Sequence, residues 1–198
     1  MAKLTLKNAS LTKGEEIKLH GVLNFSYYLT HLLDGDKLEK ACAKNEYKLD
    51  VPHYEATIEQ VSVKAKDKEN PTDAEKVIAN KCYNTKTRGK CFSFEKKPTK
   101  NGFLGILTGE VREDGLIHPV NISGKNLAEG QGVTLTYKCV EYEYKGKKGL
   151  TLKPDTLVFD EPIRYFEAKP REGWAKADEV VSKTASEAEN TSDEEVFE

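Results

Sequence analysis

The chain has 198 residues, of which 37% are hydrophobic and 32% charged, with a formal net charge of −2. That supports one folded domain with a sizeable core plus a tail or insertion, leaves little room for two full domains, and is too rich in apolar residues for a wholly disordered chain. The longest uncharged stretch, Leu19 to Leu33, contains His20, Asn24, Ser26, Thr30 and His31, short of the ~20 apolar residues of a spanning helix, and Met1 to Lys7 has no apolar signal region; no membrane is expected as a partner.

Along the chain, Leu4 and Leu6 alternate with polar residues as in a half-buried strand. Residues Gly14 to Asn45 form an elaboration of the core, in which Val22 to Leu33 suits either a strand or a buried helix and Leu38 to Lys44 is weakly helical. Within it, Asp34-Gly35-Asp36 could bind a metal in a nuclease-like site, but a polar turn is the favoured reading. Period-two alternation returns at Tyr47, Leu49 and Val51 and at Val61 and Val63. Asn70-Pro71 marks a loop, and Thr72-Asp73-Ala74-Glu75 has the capping-box form that opens a short helix through about Asn80.

Lys90 to Glu95, Phe103 to Val111, Ile117 to Ile122 and Val133 to Tyr144 follow as strands bounded by Gly, Asn or Pro. Short strands in this number with one small helix predict a mainly β fold, a closed or nearly closed antiparallel barrel, with a β-sandwich as the competing architecture. Residues 1–174 are the expected folded domain. From Ala175 to Glu198 eight acids stand against Lys176 and Lys183, so this segment carries −6 and the rest of the chain +4. With few large apolar groups the segment is expected to be a disordered acidic tail.

Cys42, Cys82, Cys91 and Cys139 are widely spaced, and neither His53 nor His118 lies at a ligand-like spacing from one of them. They read as free thiols in or near the core, and no metal, cofactor or catalytic residue is assigned. The phosphate-cradling loop, the His-Glu-x-x-His pair and the Gly-x-Ser-x-Gly elbow are all absent from the sequence.

Two regions combine cations with aromatic rings. Lys81, Lys86, Arg88, Lys90, Lys96, Lys97 and Lys100 face a single acid, Glu95, and are interleaved with Tyr83, Phe92 and Phe94. Phosphates call for cations and unstacked bases for flat rings, so the mixture suits single-stranded nucleic acid. The alternative is that Phe92 and Phe94 point into the core while the lysines solvate a loop. The second region, Val133 to Leu152, reads as a hairpin with Lys145, Lys147 and Lys148 at its turn. Alternation puts Val133, Leu135, Tyr137 and Cys139 on one face and Lys138, Val140, Tyr142 and Tyr144 on the other. Lysines at a hairpin tip also keep an edge soluble.

The run Gly130-Gln131-Gly132-Val133 to Tyr144, Lys145-Gly146-Lys147-Lys148-Gly149 and Leu150 to Phe159 resembles the terminal hairpin of bacteriophage single-stranded DNA-binding proteins with an oligonucleotide-binding (OB) fold. Lys3 to Ala9 is similar to that family's opening strand, Tyr47 to Pro52 to one of its strand exits, and the acidic tail with Phe197 to its C-terminal tail. Gly14 to Asn45 has no counterpart, and the chain ends in Glu198 where such tails commonly end on the aromatic.

The resemblance implies an OB-like five-stranded barrel and a role in phage DNA replication, recombination or repair in the cytoplasm of the bacterial host. The expected DNA-binding set is Tyr83, Lys86, Arg88, Lys90, Phe92, Phe94, Tyr142, Tyr144, Lys145, Lys147 and Lys148. Asp193, Glu194, Glu195 and Phe197 would dock replication or recombination proteins, with the tail competing with DNA for the basic groove. The rival readings are a β-rich protein-interaction adaptor and an RNA-binding OB protein.

Overall fold

The structure, a computed structural model, describes residues 4–24, 26–46 and 48–166. They fall within one compact unit, Met1–Phe166. The acidic tail, with Asp193, Glu194, Glu195 and Phe197, lies outside the described residues.

The elements in chain order are β1 (Glu16–Asn24), α1 (Tyr27–Thr30), α2 (Gly35–Lys44), β2 (Tyr54–Lys64), α3 (Asp73–Lys81), β3 (Tyr83–Thr85), β4 (Gly89–Lys96), β5 (Leu107–Val111), β6 (Ile117–Pro119), β7 (Gln131–Tyr144) and β8 (Lys147–Phe159). The fold is mainly β, as the alternation predicts. One sheet holds all the strands in the order β3-β4-β2-β1-β7-β8-β5-β6. Its ladders are antiparallel except β5 against β8, which is parallel. Among the described residues the strands number eight rather than five, and the ladder stays open, with β3 and β6 as its edges.

Although open, the sheet curls around a single core. Phe92 of β4 meets Tyr137 of β7 edge-on, with ring centroids 5.7 Å apart. Since β2 and β1 lie between those strands, a flat sheet would hold them about 14 Å apart. The bend has a local cause where β1 meets β2, at a register shift between His20 and Val22. Gln60 there adopts a positive φ of 52°. Gly21 passes so close to β2 that a Cβ would sit 2.5 Å from the Glu59 carbonyl oxygen, so only glycine fits. Ile17, Leu19, Leu23, Ile58, Phe92, Val133, Leu135, Leu157 and Phe159 fill the interior.

Helix α3 plugs this core with Ala74, Val77 and Ile78. Its predicted capping box is present: Thr72 Oγ1 accepts the Glu75 N–H, and Glu75 Oε2 accepts the Thr72 N–H. None of the helices among the described residues is long and apolar enough to cross a membrane. Cys91 and Cys139 are buried and Cys42 and Cys82 half-buried, all as free thiols. Burial pushes the thiols of Cys82 and Cys139 above the ordinary range.

Two local expectations are corrected, and one that the sequence left open is resolved. The predicted strand at Leu4 and Leu6 is a turn, because the Asn8 side chain accepts the Thr5 N–H at 2.6 Å and the backbone closes from Asn8 to Thr5; both leucines still pack against the core. The predicted strand around Leu49 and Val51 is a bend leading to Pro52, and β2 begins only at Tyr54. The ambiguous segment from Val22 to Leu33 is both things in turn, the end of β1 followed by the single turn α1.

Candidate nucleic-acid interface

The β7–β8 hairpin closes at Lys145 and Gly146, both with positive φ, the backbone of a two-residue turn whose twist matches that of its strands. Directly opposed residues in a ladder share a face. Leu135 opposes Leu157 and Cys139 opposes Leu152, which defines the core side. On the outer side Lys138 opposes Lys153, Val140 opposes Thr151, Tyr142 opposes Gly149 and Tyr144 opposes Lys147. Tyr142 and Tyr144 therefore share a face with three lysines, and they are 42% and 66% exposed.

Each tyrosine is held in its own way. A Cβ on Gly149 would lie 2.8–2.9 Å from the Tyr142 ring atoms, so the missing side chain lets that ring lie against β8. The Lys145 ammonium stands 5.4 Å from the Tyr144 ring centroid, a cation–π contact. Beside Tyr142, a groove of about 590 Å³ runs past Gly149 and Thr151 to Leu6, Lys7 and Leu11 of the N-terminal segment.

The hairpin sorts its charges by face. Glu141 and Glu143 point to the side opposite the tyrosines, where they pair with Lys13 at 3.0 Å and Lys148 at 3.7 Å. Lys148 thus stands apart from Tyr142, Tyr144 and Lys147, with which the sequence grouped it. On the tyrosine side the cations continue across the sheet: Lys18 of β1 lies opposite Lys64 of β2, and Lys138 lies opposite Lys153. None of Lys18, Lys64, Lys138, Lys147 and Lys153 has an ion pair among the described residues, although Glu16 stands directly opposite Lys138 in the β1–β7 ladder. Like charges directly opposed across a ladder are destabilising, a cost that an external anion relieves. Lys96, on the inward register of Phe94, is held below the ordinary range of an ammonium chiefly by burial, with a smaller contribution from Lys153 that Asp155 opposes.

The β3–β4 region divides. Phe92 and Phe94 are 1% and 4% exposed and belong to the core, so their assignment as base-stacking residues is corrected: β4 alternation turns both inward. Tyr83 is 41% exposed on the outer side, its hydroxyl 2.7 Å from Ser93 Oγ. Arg88 is partly neutralised by Glu59 at 3.4 Å. Lys86 and Lys90 are exposed, with Lys90 on the inward-facing register of Phe92. This region is separated from the hairpin by β2 and β1 in the sheet order, so the two predicted clusters do not merge into one site.

Sequence reasoning missed Lys18, Lys64 and Lys153. Lys153 follows from extending the hairpin register past the turn, whereas Lys18 and Lys64 depend on the pairing of β1 with β2 and leave no local signal.

No protein-family model matches the chain, and no curated protein matches it in sequence. Among solved structures, the chain is similar to gp2.5, a single-stranded DNA-binding protein encoded by bacteriophage T7, at 10% identity and a TM-score of 0.32, over 81% of this chain and 97% of that one. A likeness of that size assigns neither residues nor activity to this chain.

Proposed function

We propose that this chain binds single-stranded DNA non-catalytically and without reading its sequence, through the outer face of the β7–β8 hairpin and the lysine stripe beside it. The observation that carries the reading is the co-facial placement of Tyr142, Tyr144 and Lys147 with the opposed pair Lys138 and Lys153. Tyr142 and Tyr144 are two strand positions apart, about 6.8 Å. That is twice the ~3.4 Å rise per base of a duplex strand. A strand that engages both rings must be extended with its bases unstacked, as a single strand is and a duplex is not. Lysines hold the phosphates, and each stacked base contributes about 1–3 kcal/mol. Tyr83, Lys86, Arg88 and Lys90 would form a second binding region on a longer strand.

On this reading the protein covers exposed strands during phage replication, recombination or repair in the bacterial cytoplasm. Residues 175–198, at −6, compete for the lysines and dock partner enzymes when DNA displaces them. DNA is preferred to RNA because of the sequence resemblance; a matched RNA strand tests that choice. A second reading, a protein-docking adaptor, is favoured by exposed Phe103, Leu107, Leu116 and Ile117 near β5 and β6.

The test is fluorescence anisotropy of a labelled oligo(dT) strand with the wild type, the double variant Tyr142→Ala/Tyr144→Ala, and Lys148→Ala as a control on the opposite face. At least a tenfold loss in the double variant with little change in the control is expected. Equal affinities in all three would overturn the assignment of this face.

A further inference from the structure

His53 is fully buried, and its two ring nitrogens have different surroundings. Nδ1 lies 2.7 Å from the Val51 carbonyl oxygen, to which it donates its proton. Nε2 then carries the lone pair, and it is a buried polar atom with no hydrogen-bond partner among the described residues. It is aimed at Glu55 Oε2, 3.5 Å away. The β2–β4 register sets Glu95 directly opposite Glu55. One imidazole nitrogen and two carboxylates thus converge, with donor atoms all within 4.8 Å of one another.

Carboxylates directly opposed across a ladder repel. The Lys48 ammonium, bonded to Glu55, offsets one of them, and Glu95 has no ion pair among the described residues. We propose that His53 Nε2, Glu55 and Glu95 form a binding site for a divalent transition-metal ion of the zinc class.

A nitrogen with two oxygens suits this class, whereas calcium and magnesium prefer oxygen alone. With metal–ligand bonds of about 2.0 Å a tetrahedral site has ligand–ligand edges of about 3.3 Å. The His53–Glu55 separation of 3.5 Å is close to that edge, and the Glu95 donor atom stands within 4.8 Å of both. Donation from Nδ1 to a backbone carbonyl is the outer-shell bond by which metal-binding histidines are oriented. A cavity of about 250 Å³, bounded in part by Lys48, Thr57, Ser93 and Glu95, provides entry and room for a water as fourth ligand. As the ion arrives, Lys48 releases Glu55. The bound ion ties the segment before β2 to β4, independently of the strand-binding face. Sequence reasoning sought ligands at cysteine spacings; this set is a His-x-Glu on one strand completed by a residue that only sheet pairing brings near.

Calorimetric titration of the full chain with zinc chloride tests the site, comparing wild type, Glu95→Gln and Lys48→Ala, with zinc-dependent melting as a second readout. Glu95→Gln is isosteric at an exposed position and keeps the fold. One zinc per chain is expected, weakened at least tenfold by Glu95→Gln and tightened severalfold by Lys48→Ala, with zinc raising the melting temperature of wild type but not of Glu95→Gln. Identical zinc affinity in wild type and Glu95→Gln would overturn the site, whatever the four thiols bind; unchanged or weaker affinity in Lys48→Ala would overturn the displacement of Lys48.

Discussion

Tyr142 and Tyr144 reach solvent because their strand runs past the end of β1, which meets β7 no further than Lys138, and because Gly149 leaves room for the Tyr142 ring. Replacing Gly149 by Val should push that ring off β8 and lower oligo(dT) affinity toward that of Tyr142→Ala, with a smaller change in melting temperature. Phe92 behaves in the opposite way. Phe92→Ala should cost about 3–5 kcal/mol of stability by urea unfolding, because it empties a packed interior and removes the ring that Tyr137 meets. Glu110 makes a third residue-scale test. It accepts the Ile163 N–H at 2.8 Å, and this bond, with Arg112 beside it, holds its carboxyl below the ordinary range. A carboxylate depressed on folding stabilises the native state above its unfolded pKa, and that contribution is lost as pH falls through its folded value. Glu110→Gln should therefore cost about 1–2 kcal/mol at pH 7. The gap between variant and wild type should close as urea unfolding is repeated at acid pH.

At the scale of elements, the features legible in the sequence are those whose causes are local. Thr72 and Glu75 announce the start of α3 by a motif four residues long, and Thr72→Ala should cost about 1 kcal/mol, read as a fall in urea midpoint. Alternation from Val133 to Tyr144 and the Lys145-Gly146 turn place the β7–β8 hairpin and its two faces. Alternation at Leu4 and Leu6 misleads, since the Asn8 side chain captures the backbone in a turn. Phe92 and Phe94 look the same in sequence whichever way β4 is turned; packing across the sheet against β7 decides it. The opposed lysines are likewise a product of pairing. Lys138→Gln/Lys153→Gln should reduce the slope of log affinity against log salt by about 0.7 for each phosphate that is no longer neutralised. Lys153→Gln alone, which keeps Lys138 opposite Glu16, should slightly raise the stability of the free protein in urea unfolding, because it removes an opposed like-charge pair.

For the whole molecule, a net charge of −2 conceals a body at +4 and a terminal segment at −6. The curled sheet sorts the body's charges further, with Glu141 and Glu143 on one side of the hairpin and, on the other, tyrosines with lysines that have no ion pair among the described residues. The measurement that tests the central claim most directly is anisotropy of labelled oligo(dT) against a duplex of equal length, at low and moderate salt, with the full chain and with residues 175–198 removed. The account predicts binding to the strand over the duplex, weakened by salt and tightened at low salt by removing the tail. No binding to the strand at low salt, with or without those residues, would contradict it and leave the exposed apolar surface near β5 and β6 as the protein's working face.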